Sequence, residues 1–327
     1  MKKTFIYEKK CSICRGKDYE RLFEKKDLFV EICRDCGLIR LNPHWDKRTY
    51  NAFYKVDYDF SRVSINSESK DSEFRKERII EFFMSLKKAK IKEFSPKTIL
   101  DIGAGDGIDL ECLRSFLLKK DSDFYTIEPS EACIKELKER GFKVIAKDGE
   151  SNWNKKYKNF FDFISIRNVL EHMLDPLSVL KKISNSLKED GLVFMSVPNM
   201  SNPDLSLTTF FEIPHTHYFS KNSIKNAMIK SGLEPILILD KNKVFPKTIY
   251  ILARKKRKGF KKNHNFSKKE YFEKRKFILN QISKESNNFF PIFVVFYKLK
   301  NKFLVLIKKL KISKFKKRFF IEGLKKF

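Results

Sequence analysis

Thr98-Ile-Leu-Asp-Ile-Gly-Ala-Gly-Asp-Gly107 is the stretch whose reading decides the fold. A short apolar run ends in an acid, Asp101, and then in three glycines spaced two apart, Gly103, Gly105 and Gly107. Such a run predicts a buried parallel strand turning sharply into a helix. Glycine permits backbone conformations that a Cβ forbids and lets a ligand approach the turn closely. Working outward, short β runs alternate with helical segments, the pattern of a parallel sheet with helices on both faces. Strands are expected at 98–102, 124–128, 143–146, 161–166, 192–197, 235–239 and 248–253, and helices near 107–118, 130–140, 176–188 and 221–231. A further helical pattern over 71–93 carries Ile79, Phe82, Phe83 and Leu86. The fold class is α/β, a seven-stranded Rossmann-like sheet.

The second strand, Phe124-Tyr-Thr-Ile-Glu128, ends in an acid 27 residues after Asp101. A carboxylate at that strand tip can accept both ribose hydroxyls of an adenosyl ligand. A dehydrogenase shares the strand, the glycines and the acid, but its fingerprint is Gly-x-Gly-x-x-Gly opening onto a pyrophosphate. Here the spacing is Gly-x-Gly-x-Gly, and Asp101 would repel a pyrophosphate while suiting a cationic group. The combination resembles the S-adenosylmethionine site of the class I methyltransferases, with Asp101 through Gly107 as the first motif and Glu128 as the ribose acid. The seven strands are similar to that family's sheet, whose last strand is antiparallel. Ligands in such sheets bind beyond the carboxyl ends of the strands, where strand order reverses.

The resemblance implies further site residues. Asp148, in Ala146-Lys-Asp-Gly-Glu150, stands where the family has an acid touching the adenine amino group; an ordinary Asp-Gly turn also explains it. Arg167-Asn-Val-Leu-Glu-His-Met-Leu-Asp-Pro176 is similar to the family's segment after the fourth strand. There Asn168 and Glu171 belong to the cofactor's surroundings, and His172 lies near the reacting methyl. A histidine can act as general base because its pKa lies near working pH. Pro214-His215-Thr-His217-Tyr218-Phe219-Ser220 resembles the His-x-x-Tyr-Phe-Ser segment of sugar methyltransferases. In those enzymes a glutamate precedes the first histidine; here Pro214 replaces it. His215 is the first candidate base, then His217, then His172. Ser220 reads as the N-cap of the next helix.

At the front, Cys11-Ser-Ile-Cys14 and Cys33-Arg-Asp-Cys36 are 18 residues apart. Two thiolate pairs at this spacing fit a tetrahedral structural zinc site that ties together residues 5 to 40. Gly16 and Gly37, just past each pair, supply left-handed residues for the turns. The tyrosine-rich stretch Tyr50-Asn-Ala-Phe-Tyr54 and Asp57-Tyr58 is implied to lie over cofactor or substrate, although packing aromatics would look the same.

The net charge of +29 is unevenly spread: 254–327 carries +21, leaving +8 for the remainder. Within that tail Ile292, Phe296, Leu299, Phe303, Leu306 and Leu310 form one apolar stripe among lysines. A basic amphipathic helix of this kind suits an anionic membrane surface or a partner protein. No run is long enough to span a bilayer, and no signal peptide is visible; a cytoplasmic location, peripheral at the membrane's inner face, is expected. The chain thus reads as a zinc knuckle (1–45), a class I methyltransferase domain (46–253) and a basic helical tail (254–327). The expected activity is methyl transfer from S-adenosylmethionine to a small-molecule acceptor, a sugar, nucleotide-sugar or surface glycan in polysaccharide biosynthesis, with a histidine base. An RNA methyltransferase is the enzymatic alternative, disfavoured because the charge sits in the tail. A non-catalytic binding protein is the other, opposed by the intact cofactor motif.

Overall fold

The computed structural model describes residues 3–25, 27–57, 80, 82–117, 121–203, 206–211, 213–241, 246–257, 266 and 268–285. The predicted helical residues before 80, Tyr58 and the apolar stripe from Ile292 to Leu310 lie outside them. The chain divides into two compact units, Met1–Lys276 and Phe277–Phe327. Of the second, residues 277–285 are described and are helical. Among the described residues no helix is long and apolar enough to cross a membrane.

The first unit is organised by β6 (Thr98–Ile102), whose last four residues are buried because both faces of the sheet are covered. Beside it run β7 (Asp123–Ile127), β8 (Lys143–Ala146), β9 (Phe161–Arg167), β10 (Leu187–Pro198), β12 (Leu233–Leu239) and β13 (Thr248–Lys255), in the order β12-β13-β10-β9-β6-β7-β8. All neighbours are parallel except β13, which runs antiparallel to both β10 and β12. The seven predicted strands are therefore those of the sheet, and the last is reversed as expected. β10 is longer than the expected 192–197, and its register breaks between Leu187 and Leu192. The chain leaves β6 for β7 on one side and returns to β9 on the other, which opens a crevice at their carboxyl ends.

The expected Ser220 cap forms, and a second cap accompanies it. Ser220 accepts from the Ser223 amide and Ser223 returns the bond, a capping box for the helix Lys221–Ser231. Asp175 caps Pro176–Ser186, with proline at the first turn.

The front of the chain is more than metal-held turns. β2 (Tyr19–Lys25), β3 (Leu28–Cys33) and β4 (Ile39–Asn42) form an antiparallel sheet whose fourth strand, β11 (His217–Tyr218), comes from far along the sequence. His217 pairs with Arg40 and Tyr218 with Ile39. Cys11, Ile13, Cys33, Cys36 and Leu38 are buried in the same apolar cluster as Phe161, Leu177 and Phe219, so both sheets share one core.

Candidate active site

The four cysteines of the two pairs converge into one cluster. Cys11 and Cys36 lie 3.6 Å apart sulfur to sulfur, and Cys14 and Cys33 3.5 Å. All four sulfurs fall within 4.8 Å of one another, and none is in a disulfide. Four thiolates around a tetrahedral zinc at about 2.3 Å would stand roughly 3.8 Å apart, so the donor set fits that ion. Hydrogen bonds from the neighbouring thiols pull Cys11 well below the ordinary thiol range, while those same contacts push Cys33 and Cys36 up. The turns are built differently from expectation. Gly37 is left-handed (φ 70°), but in the first turn that position is Arg15 (φ 71°). Gly16 has no left-handed φ; a Cβ there would lie 2.0 Å from the exposed Asp35 carboxylate, which would have to turn aside.

At the carboxyl ends of β6, β7 and β9 lies a cleft of about 780 Å³. The glycine turn and the acid of β7 are bonded to each other: the Gly105 amide donates to Glu128 Oε2 at 2.8 Å and the Ser130 amide to Oε1 at 3.0 Å. Two fixed amides orient this buried carboxylate at the cleft's edge, leaving lone pairs for hydroxyl donors. Gly103, at φ 74°, could not be replaced without strain, because a Cβ would meet Val169 Cγ2 at 2.3 Å. Gly107 (φ 82°) lies outside the cleft and packs the following helix, its would-be Cβ 2.7 Å from Leu137.

Asp101 is placed behind the glycine turn, 2% exposed, rather than in the cleft lining. Ser165 Oγ donates to it, and the buried Arg167 guanidinium stands 3.7 Å from Asp101 and 2.9 Å from Asp109. Two carboxylates facing one guanidinium leave net negative charge under Gly103 and Gly105. That field suits a cationic ligand group at short range in a low dielectric. Arg167 was not singled out in the sequence; an arginine inside a β run was the available signal.

Asp148 lines the far end. Its Oδ1 accepts from the Glu150 amide (2.8 Å) and from Lys47 Nζ (2.9 Å), and Lys47 also pairs with the Glu150 carboxylate. Lys47 and Glu150 were not anticipated. Tyr50 and Tyr54 do line the cleft, stacked at 6.4 Å, and Tyr54 meets His172 edge-on at 5.8 Å. Asn168 also lines it, held at φ 53° with its amide donating to Ser196 O.

The three candidate histidines separate. His172, on the 3₁₀ turn Leu170–His172, lines the cleft, and its ring lies 4.6 Å from that of His215. Burial, reinforced by His215, lowers His172 to about 3, so its imidazole is neutral. Glu171 does not line the cleft; it is 1% exposed, and burial pushes its carboxyl up to about 8. The Glu171 carbonyl accepts from both the amide (2.9 Å) and hydroxyl (3.0 Å) of Thr216, which fixes the 214–218 segment against this turn. His217 lies apart: Nε2 contacts Ser12 Oγ at 2.8 Å, Nδ1 contacts Thr216 Oγ1 at 3.0 Å, and burial lowers it to about 4. It borders a second cavity of about 470 Å³, with Lys10, Ser12, Arg15, Arg40 and His44. Leu174 lines both cavities.

Comparison with known proteins finds the family described as "Methyltransferase domain" matching residues 72–238. Ubiquinone biosynthesis O-methyltransferases are similar: that of Actinobacillus pleuropneumoniae serotype 5b is 32% identical over 108 residues, 32% of this chain and 46% of that protein. That of Yersinia enterocolitica is 28% identical over 104 residues, 32% of this chain and 43% of the relative. The chain spans about half the length of the curated relatives it matches. Among solved structures, an S-adenosylmethionine-dependent methyltransferase from Clostridium acetobutylicum is 16% identical with a TM-score of 0.45, covering 61% of this chain and 99% of that one.

Proposed function

The chain belongs to the methyltransferase-domain family, a family of S-adenosylmethionine-dependent enzymes, and we propose that its acceptor is a polar small molecule: a sugar, nucleotide-sugar or glycan end. The observation that carries this reading is the second cavity. Its wall is hydrogen-bonding (Lys10, Ser12, Arg15, Arg40, His44, Thr216) and it meets the cofactor cleft at a single shared side chain, Leu174. A hydroxyl-rich acceptor can exchange hydrogen bonds with such a wall, whereas an apolar quinone ring cannot.

S-adenosylmethionine supplies an electrophilic sulfonium methyl when bound. The chain's residues then have three tasks. Glu128, oriented by the Gly105 and Ser130 amides, accepts ribose hydroxyls, and Asp148 receives the adenine edge once Lys47 yields to it. The Asp101–Asp109–Arg167 group sets a negative field behind the glycine turn, favouring the sulfonium end. The acceptor proton is assigned to His215, which meets the cleft through its ring contact with His172, with His172 too weakly basic for that part and His217 turned toward the knuckle. A structural zinc at Cys11, Cys14, Cys33 and Cys36 holds the acceptor wall in place. The basic tail is assigned to an anionic membrane or a partner protein.

Calorimetric titration of S-adenosylhomocysteine tests the cofactor part: Glu128→Ala should weaken binding about tenfold to a hundredfold, the loss of one to two hydrogen bonds to a charged group. Methyl transfer to a panel of nucleotide sugars and glycans tests the acceptor. Transfer to quinols but to no sugar would overturn that assignment.

A further inference from the structure

A second group of ligand-type side chains converges beneath the cleft, away from the cysteines. The donor atoms of Glu171, His172 and His215 all lie within 4.8 Å of one another. Glu171 is all but fully buried, and no other residue hydrogen-bonds either carboxylate oxygen. Nδ1 of His172 is buried without a hydrogen-bond partner as well. Among the described residues no lysine or arginine forms an ion pair with Glu171, in contrast to Glu31, which Arg40 neutralises at 3.0 Å. A buried carboxyl with neither partner nor solvent costs several kcal/mol unless it holds a proton or a metal.

We propose that Glu171, His172 and His215 bind a divalent first-row transition cation at the edge of the methyl-transfer cleft. One carboxylate oxygen and two imidazole nitrogens suit zinc, cobalt, iron or manganese, whereas calcium and magnesium require mostly oxygen. Donors around such an ion stand roughly 3 to 4 Å apart, so the present spacing closes by side-chain adjustment. The backbone frame is already fixed, because Thr216 ties the histidine-bearing segment to the Glu171 and Met173 carbonyls at 2.9 to 3.1 Å. Three protein ligands leave coordination positions open, and His172 faces the cleft, so an acceptor oxygen can reach them. The inference rests on the reading of this cleft as the transfer site and changes one role within it. With the cation bound His215 is a ligand and no longer the base; the metal lowers the acceptor hydroxyl's pKa so that its proton passes to solvent before the methyl is transferred.

The test uses full-length protein with its cysteines loaded with zinc, titrated with Co²⁺ and followed by visible absorption and by metal analysis after dialysis. Wild type should take up one further equivalent, with weak d–d bands and no thiolate charge-transfer band. Glu171→Gln and His215→Gln should each bind it at least tenfold more weakly, while His217→Gln, outside the triad, should bind it as wild type does. Two substitutions are used so that a folding defect in one does not decide the matter. No uptake by wild type, or equal uptake by both triad variants, would overturn the site. S-adenosylhomocysteine titration of the same samples separates the two claims. Cofactor binding without extra cobalt removes only the metal; cobalt uptake without cofactor binding removes the transfer-site reading and leaves the metal site standing.

Discussion

The two walls of the site are made in opposite ways. The cofactor wall is local: Gly103, Gly105, Glu128, Asp148 and Asn168 each sit just beyond a strand of one sheet, within a few residues of an apolar run. The wall of the second cavity is assembled from afar. Ser12 meets His217, Arg40 pairs with it across β4 and β11, and Arg15 reaches Asp175. A wall of strand tips is fixed once the sheet forms, whereas a wall of long-range pairings depends on the cysteine cluster to keep it in register.

That dependence can be broken at its strongest point. Cys33→Ser removes one of four thiolates from a cluster that shares its core with the large sheet, and should lower stability by on the order of 5 kcal/mol. Chemical denaturation should still show one transition. Two transitions, with S-adenosylhomocysteine binding surviving the first, would mean that the walls fold independently.

A smaller effect sharpens the contrast through pH. His217 is held neutral at a pKa of about 4, against an ordinary value of 6.5. Between those values the unfolded chain binds more protons, so stability falls as pH drops from 6.5 toward 4. The slope approaches about 1.4 kcal/mol per pH unit, or about 3 kcal/mol in all. His217→Gln should flatten this part of the stability–pH curve; an unchanged slope would assign the loss to other groups.

The smallest effect is expected at the surface within the wall of the second cavity. Arg15 and Asp175 pair at 3.3 Å with both side chains about half exposed. Arg15→Ala should cost under about 1 kcal/mol by denaturation. A larger loss would mean that the left-handed turn at Arg15, rather than the ion pair, is what the substitution disturbs.

The same contrast explains what the sequence disclosed. The seven strands, the glycine turn, Glu128 and the Ser220 cap are written in neighbouring residues, where apolar period, glycine and cap chemistry act directly. The cysteine pairs were legible because metal-ligand spacing is itself a local signal. What escaped depends on contact between distant segments. β11 is two residues long and exists because β4 offers it an edge. Lys47 belongs to the site only through Asp148 and Glu150, about a hundred residues away. That Asp101 lies behind the turn follows from Arg167 and Ser165 on the neighbouring strand. The split of His215 from His217 is likewise invisible in a three-residue motif, since one meets His172 and the other meets Ser12.

Leu174, common to both cavities, carries a consequence for how turnovers follow one another. Two cavities that share one lining residue are otherwise lined by different side chains. On the proposed reading, spent cofactor can leave and fresh cofactor enter while the acceptor stays seated. Such an enzyme need not release a long chain between events, so several methyl groups could be laid down in a single encounter.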